Sequence, residues 1–255
     1  MATVESEPSK QRVEDVLQHH SQIFSARLGS QNLETVREAD VVILAVKPFK
    51  RHDVLNNKEI REALRGKLLI SIMAGIPTTL LSEVINEDNT MSSTNPCQVI
   101  RAMPNMAARI KQAMTLLTST PGTVTPENLA IAGWVFSQVG SHKYIPEANF
   151  DVAGPIVGCA GSLVALAIDG LLDGAVAEGL KRKDAEMLAV RSAVGMLNLI
   201  AEGGTHPSLL REQIASPGGA SVRALLKLES YGVRYAYSDA LMAAADRMRN
   251  MSKFT

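Results

Sequence analysis

The sequence predicts an α/β domain followed by an all-helical domain. Two observations carry this. Up to about residue 150, short aliphatic runs alternate with polar stretches of helical character. Beyond that point the β signal disappears, and Ala, Leu, Met, Glu and Arg, all good helix formers, dominate. In the first half, DVVILAV (40–46), KLLISIM (67–73), CQVIRAM (97–103) and MTLLTST (114–120) read as strands, being short and mostly β-branched or aliphatic. Helices are expected over 9–23, 32–38, 56–65, 78–86 and 126–139. Pro77 ahead of Thr78 and Thr79 marks a start, and Gly140 marks a stop. Strand and helix in alternation imply a parallel sheet with helices on both faces. Apolar runs without a strict period of two fit strands buried on both sides.

The second half reads as helices over 151–178, 184–203, 207–214, 219–230 and 233–250, with the domain boundary placed at 148/149. In the second of these, Met187, Leu188, Val190, Val194, Leu197 and Ile200 recur close to helical spacing. The first carries Gly154, Gly158, Gly161, Gly170 and Gly174. Glycines cost helix stability, so several in one helix suggest close approach of another backbone or of a ligand.

Composition narrows the function classes. The 255 residues are 46% hydrophobic and 20% charged, enough apolar material for a core. Lys plus Arg equals Asp plus Glu, at 26 each, which argues against nucleic acid or an anionic membrane as main partner. Cys97 and Cys159 are too few for a disulfide framework and read as two buried thiols in a reducing compartment. None of the five histidines has metal-ligand spacing, so no metal is expected. The polar N-terminus shows no signal peptide, so a cytoplasmic location is expected. Val152 to Ile168 falls short of the roughly 20 residues that span a bilayer, and contains Pro155; a buried helix or an interface is the better reading. Trp134 is expected to anchor its helix in the core. Arg109, Lys111 and the run Lys181–Lys183 are expected to be solvated, and His206 to cap or pack.

Four segments could carry chemistry. Ala45-Val46-Lys47-Pro48 directly follows a strand, where site residues concentrate, although a strand simply ended by Pro48 would look the same. Ser71 to Pro77 follows the next strand, and Gly75 there could admit a close ligand or make a plain turn. Arg101-Ala102-Met103-Pro104-Asn105 ends in an amide that both donates and accepts, suited to a carboxamide or carbonyl ligand or to a turn. The last is His206-Pro207 followed by Ser216-Pro217-Gly218-Gly219-Ala220-Ser221. Two glycines before a helix start expose backbone N–H groups to an anion such as a carboxylate; a capped helix after a flexible turn is the alternative. No Ser–His–Asp order or carboxylate pair stands out, which fits chemistry supplied by a cofactor.

Taken in order, these segments resemble the pyrroline-5-carboxylate reductase family, from about Val13 to Arg249. The family shows A-V-K-P, S-x-x-A-G, R-x-M-P-N, A-D-G-G-V, H-P-x-x-L and S-P-G-G-x-T. The chain has AVKP (45–48), SIMAG (71–75), RAMPN (101–105), LDGAV (172–176), HPSLL (206–210) and SPGGAS (216–221). The resemblance implies a Rossmann-type domain and a helical dimerisation domain, and reduction of a cyclic imine carboxylate by NADPH or NADH. The substrate implied is Δ1-pyrroline-5-carboxylate or a related ring such as a piperideine carboxylate. It also implies a homodimer or higher homo-oligomer, with a small-molecule substrate and no nucleic-acid or membrane partner. By carry-over, Ala45, Val46, Lys47, Pro48, Ala74, Gly75, Met103 and Asn105 would line the cofactor pocket. Ser216, Gly218, Gly219, Ala220 and Ser221 would hold the substrate at the dimer interface, with Ser221 as the catalytic hydroxyl beside the ring nitrogen.

Three departures stand out. No G-x-G-x-x-G occurs, so the first strand, glycine turn and helix of the family are expected to be missing. The family's S-G-S-G-P-A-Y reads here VGCAGSL (157–163), and its last Thr of S-P-G-G-x-T is Ser221. A non-catalytic or truncated homologue with a dimerising or regulatory role is the second reading. A β-hydroxyacid-type dehydrogenase is a weaker third, since its long-helix lysine is not found.

Overall fold

The computed structural model describes residues 1–20, 23–86 and 95–251. Among these residues, seven strands and eleven α-helices follow in chain order, with short 3-10 turns between some of them. The strands are β1 (Ala2–Val4), β2 (Ala26–Leu28), β3 (Val41–Leu44), β4 (Leu68–Ser71), β5 (Gln98–Met103), β6 (Ala113–Thr118) and β7 (Gly140–Tyr144). The helices of the first half are α1 (Glu7–Leu17), α2 (Asn32–Glu38), α3 (Arg51–Leu55), α4 (Lys58–Ala63), α5 (Thr78–Asn86) and α6 (Pro126–Ser137). Those of the second are α7 (Glu147–Ala177), α8 (Arg182–Gly203), α9 (Pro207–Ile214), α10 (Ala220–Ser230) and α11 (Val233–Asn250). The chain forms two compact units. One holds Met1–Gly158 and the end of α11 from Ala245; the other holds Cys159–Ala244.

In the first unit β1 and β2 pair in parallel, and a separate five-stranded sheet runs β3-β4-β5-β6-β7. Its core divides across the sheet as the period of a strand requires. Leu69 packs with Val36, Leu55, Leu64 and Leu81 on one face, while its neighbours Leu68 and Ile70 pack with Leu117, Ala132 and Phe136 on the other. Helices therefore cover both faces, as the alternating pattern implies. β4 is buried throughout, but β3 is not, since Ile43 is 47% exposed.

The sheet is mixed rather than parallel, because β6 runs antiparallel to β5. The link from Met103 to Ala113 holds only a 3-10 turn, Met106–Ile110, and a parallel crossover needs a dozen or more residues, usually a helix. β1, β2 and β7 were not expected. The first two are three residues each, and β7 reads GSHKY, without the aliphatic signature of a strand. Gly140 opens β7 instead of stopping α6. Its φ is 147°, and a Cβ there would lie 2.2 Å from the Ala113 carbonyl oxygen, so only glycine lets the strands pair this closely. Trp134 is 66% exposed, not a core anchor. α6 turns Ala132 and Phe136, four residues apart, onto the sheet, and Trp134 falls on the opposite side. Helix 9–23 stops at Leu17 and passes into a 3-10 turn at Gln18–His20.

Lys67 shows how one side chain secures a helix end. Its ammonium donates to the carbonyls of Val36 (2.8 Å), Arg37 (2.9 Å) and Ala39, closing the C-terminus of α2. Lys67→Met should cost about 1–2 kcal/mol, read as a lowered denaturation midpoint with an unchanged m-value.

The second unit is helical throughout, as expected. Its helices bury little: Ala185 is the one buried residue of α8, and Leu166, Leu171 and Met187 are each at least 60% exposed. α7 is long and apolar enough to cross a membrane by length and composition, yet only 11% of its apolar window is buried. The helix outruns the apolar stretch at 152–168 because it continues through Asp169 and Asp173. Cys97 is buried and Cys159 half-buried, both as free thiols. Burial pushes the Cys97 thiol up to about 12, which leaves it inert.

Candidate functional site

Three of the four segments sit side by side. β3, β4 and β5 are parallel neighbours, with Leu44 opposite Ser71 and Ser71 opposite Arg101. The turns that follow them, from Ala45, Ile72 and Pro104, therefore leave one edge of the sheet in a row. Carboxyl ends of parallel strands are where α/β sheets bind ligands.

In the first turn Ala45 and Lys47 are exposed, Val46 and Pro48 are half-buried, and the Lys47 ammonium lies 6.0 Å from the Phe49 ring centroid. Pro48 starts a 3-10 turn, and the Lys47 carbonyl accepts the Lys50 N–H at 2.8 Å. The second turn is tied down by the Ser71 hydroxyl, which accepts the Met73 N–H at 3.3 Å. Ala74 is half-buried and Gly75 is buried at φ 70°, where a side chain is strained. A Cβ on Gly75 would stand 2.5 Å from the Met251 Cβ, so the space over this glycine belongs to Met251.

In the third turn the Asn105 carbonyl accepts the Ala107 N–H at 3.3 Å, and its amide donates to the Val157 carbonyl at 3.4 Å. Both bonds are long, and a carboxamide has two N–H groups and two lone pairs, so capacity for a further partner remains. Met103 lies along the glycine face of α7. A Cβ on Gly158 would meet its methyl at 2.8 Å, and one on Gly154 would meet the Met248 sulfur at 2.6 Å. Gly154 and Gly158 thus admit methionine side chains within this unit.

Beneath this row lies a cluster that sequence reasoning did not single out. Arg101, 1% exposed, donates to Glu147 at 2.9 Å and to Asp151 at 2.8 Å, and its guanidinium lies 4.1 Å from the Phe150 ring centroid. Glu147 also takes the Thr78 N–H at 3.4 Å, and the Thr78 hydroxyl meets that of Thr120 at 3.0 Å. β5, the starts of α5 and α7, and the turn after β6 are joined through one buried cation. The one signal available was a charged residue inside the apolar run QVIRAM, with two carboxylates four residues apart at the head of a helix.

The fourth segment lies in the second unit. Ser216, Gly218 and Ala220 are exposed; Gly219 and Ser221 are half-buried. Gly218 has φ 68°, and Gly219 is the N-cap of α10 with no side-chain cap. The Gly219 N–H is already bonded to the Ser216 carbonyl at 3.0 Å. Ala220 and Ser221 occupy the first turn of α10, where N–H groups have no intrahelical acceptor. His206 caps α9 by accepting the Ser208 N–H at 3.2 Å, so its role is structural, as expected. No group of three or more His, Cys, Asp or Glu able to hold a metal occurs among the described residues.

The strand-end turns bring the exposed Ala45 and Lys47 and the half-buried Asn105 carboxamide to one edge of the sheet. No G-x-G-x-x-G is present to cradle a pyrophosphate. Known proteins agree with this outline. Residues 147–251 match a family model described as pyrroline-5-carboxylate reductase dimerisation. The pyrroline-5-carboxylate reductase of Methanosarcina acetivorans is 34% identical over 89% of this chain and 80% of its own length. The chain belongs to the pyrroline-5-carboxylate reductase family. A reductase of this name from Lophium arboricola is 34% identical, and 65% of its length is spanned. Residues 4–75 match a second model, NADP oxidoreductase coenzyme F420-dependent. Among solved structures, Plasmodium falciparum pyrroline carboxylate reductase with NADP bound is 28% identical over 90% of this chain and 84% of that one, with a TM-score of 0.79. The chain is thus a Rossmann-like N-terminal domain with a mixed sheet followed by the dimerisation helices of residues 147–251.

Proposed function

We propose that the chain uses NADH or NADPH to reduce a cyclic imine carboxylate, converting Δ1-pyrroline-5-carboxylate to proline or acting on a six-membered piperideine analogue. The row of AVKP, AG and MPN turns on three adjacent parallel strand ends carries this reading, because it supplies a surface on which a nicotinamide can lie.

The reduced nicotinamide would supply the hydride. The residues of this chain bind and position. Ala45, Val46, Lys47, Pro48, Ala74, Gly75, Met103 and Asn105 line the cofactor side. The free first-turn amides of α10 and the turn Ser216 to Gly219 hold the substrate carboxylate, an anion at a helix N-terminus. The Ser221 hydroxyl hydrogen-bonds the ring nitrogen, so that the imine is protonated or polarised as hydride reaches its carbon. The new N–H and C–H bonds complete the amine, and in-line placement supplies much of the rate.

A second copy of the chain is the occupant we assign to the exposed apolar faces of α7 and α8, so the working unit is at least a homodimer. Each site would take its Asn105 side from one protomer and its Ser221 side from the partner. The domain boundary at 148/149 goes with this division of labour. Both cysteines are free thiols, which fits a cytoplasmic location. A non-catalytic, dimerising homologue is the second reading, favoured by Met251 against Gly75.

The test is to incubate the full chain with NADH or NADPH and each ring imine, following absorbance at 340 nm and the product by mass. Imine-dependent oxidation with appearance of the cyclic amine is expected. Absence of turnover with both cofactors and both rings would leave the non-catalytic reading.

A further inference from the structure

Arg101, Met103 and Asn105 stand two residues apart, so an extended chain turns them to one side. The chain stays extended through Asn105, whose φ and ψ are −110° and 174°. Ile100 and Ala102, between and before them, pack on the other face of the sheet. All three residues meet the first turns of α7. Arg101 grips Glu147 and Asp151, Met103 lies against Gly154 and Gly158, and the Asn105 amide donates to the Val157 carbonyl.

The spans agree. Four extended residues, from Arg101 to Asn105, cover about 13 Å. Eight helical residues, from midway between Glu147 and Asp151 to Val157, cover about 12 Å. Strand and helix therefore run side by side, and their register is held at both ends. The two ends are unequal. The Asn105 end has a single hydrogen bond of 3.4 Å. The Arg101 end has two charge-assisted bonds, of 2.9 and 2.8 Å, from a guanidinium that is 1% exposed and lies 4.1 Å from the Phe150 ring centroid. Between them, two glycines face a flexible methionine, which can follow a sliding helix. Arg101 is thus the anchor that decides where the Val157 carbonyl falls. That carbonyl occupies one N–H of the Asn105 carboxamide and so fixes which way the rest of it points.

We propose that Arg101 is a positioning residue of the cofactor site: by holding the head of α7 in register on β5, it orients the Asn105 carboxamide towards the dinucleotide. This rests on the oxidoreductase reading above, and adds to it a residue that itself touches neither cofactor nor substrate.

The test is a double-mutant cycle on the full-length chain, titrated with NADH and with NADPH and read by nicotinamide fluorescence without imine. Circular dichroism on each variant confirms its fold. Asn105→Ala should raise the dissociation constant about tenfold, the scale of one lost hydrogen bond. Arg101→Met should raise it by nearly as much. Arg101→Lys, which keeps the charge but not the fork that spans two carboxylates, should fall between and serves where the methionine variant does not fold. If Arg101 acts through Asn105, adding either Arg101 change to Asn105→Ala should weaken binding by less than about twofold more. Lys67→Met, destabilised at the end of α2, should bind like wild type, so lost stability alone does not produce the effect. Wild-type affinity in folded Arg101 variants overturns the assignment and leaves the oxidoreductase reading intact. So do full multiplication of the two effects in the double variant and equal weakening in Lys67→Met. No binding of either dinucleotide to wild type overturns both.

Discussion

Ser221→Ala should lower kcat about 10²-fold while leaving the dissociation constant for NADH unchanged, the size expected for losing a group that assists proton transfer. Ser221 stands in the first turn of α10, after a turn whose Gly218 takes a positive φ, so its hydroxyl is carried by a rigid element. Removing the oxygen leaves the amides of that turn in place, so the substrate KM should rise less than kcat falls. Ser221→Thr keeps the hydroxyl and should retain most of the activity. Steady-state kinetics on the three proteins, with fluorescence titration of the cofactor, check this. Equal loss in the Thr and Ala variants would assign the position to packing.

Arg101→Met should destabilise the protein by about 3 kcal/mol, the range seen when one partner is removed from a buried ion pair. The methionine fills much of the volume but leaves Glu147 and Asp151, whose side chains are 25% and 31% exposed, without their cation. It also strips Phe150 of the guanidinium over its ring. The damage should spread, because Glu147 is shared with Thr78 at the start of α5. Asp151→Asn, which keeps the shape and one hydrogen bond, should cost about 1 kcal/mol. Urea unfolding of the two variants measures both. Equal small losses would mean that water compensates the two carboxylates.

Much of this architecture is legible in the residues. The helices at 32–38 and 78–86 fall where the pattern puts them, and the four aliphatic runs form β3 to β6 with one to three residues trimmed, β6 also gaining Ala113 at its start. The trimming has a physical cause. Ala45, Val46 and Met73 are apolar, so they extend the runs, but they belong to turns at the edge of the sheet. What escaped the sequence was set by tertiary pairing. β1 and β2 exist only as each other's partners, and β7 is a polar edge held to β6 by Gly140. The antiparallel step between β5 and β6 follows from loop length, which the residues of the strands themselves do not carry.

The site was legible as motifs and not as geometry. Asn105 stands out for its amide, yet one of its two partners, the Val157 carbonyl, comes from a helix 52 residues away. Gly154 and Gly158 were marked for close approach, and what approaches is Met103 and Met248. Arg101 read as one letter of RAMPN, and its two carboxylates, 46 and 50 residues on, could not be matched to it without coordinates.

The most direct test of the central claim, that two copies of this chain build each active site together, is complementation in a mixed dimer. Asn105→Ala and Ser221→Ala chains carrying different tags are co-expressed, and the dimer holding one of each is purified by sequential affinity. If each site joins the Asn105 side of one protomer to the Ser221 side of its partner, both lesions fall in one site and the other is intact. The mixed dimer should then recover about half of wild-type activity, where either parent dimer has almost none. A mixed dimer as inactive as its parents would place both groups of one site on the same chain and contradict the claim.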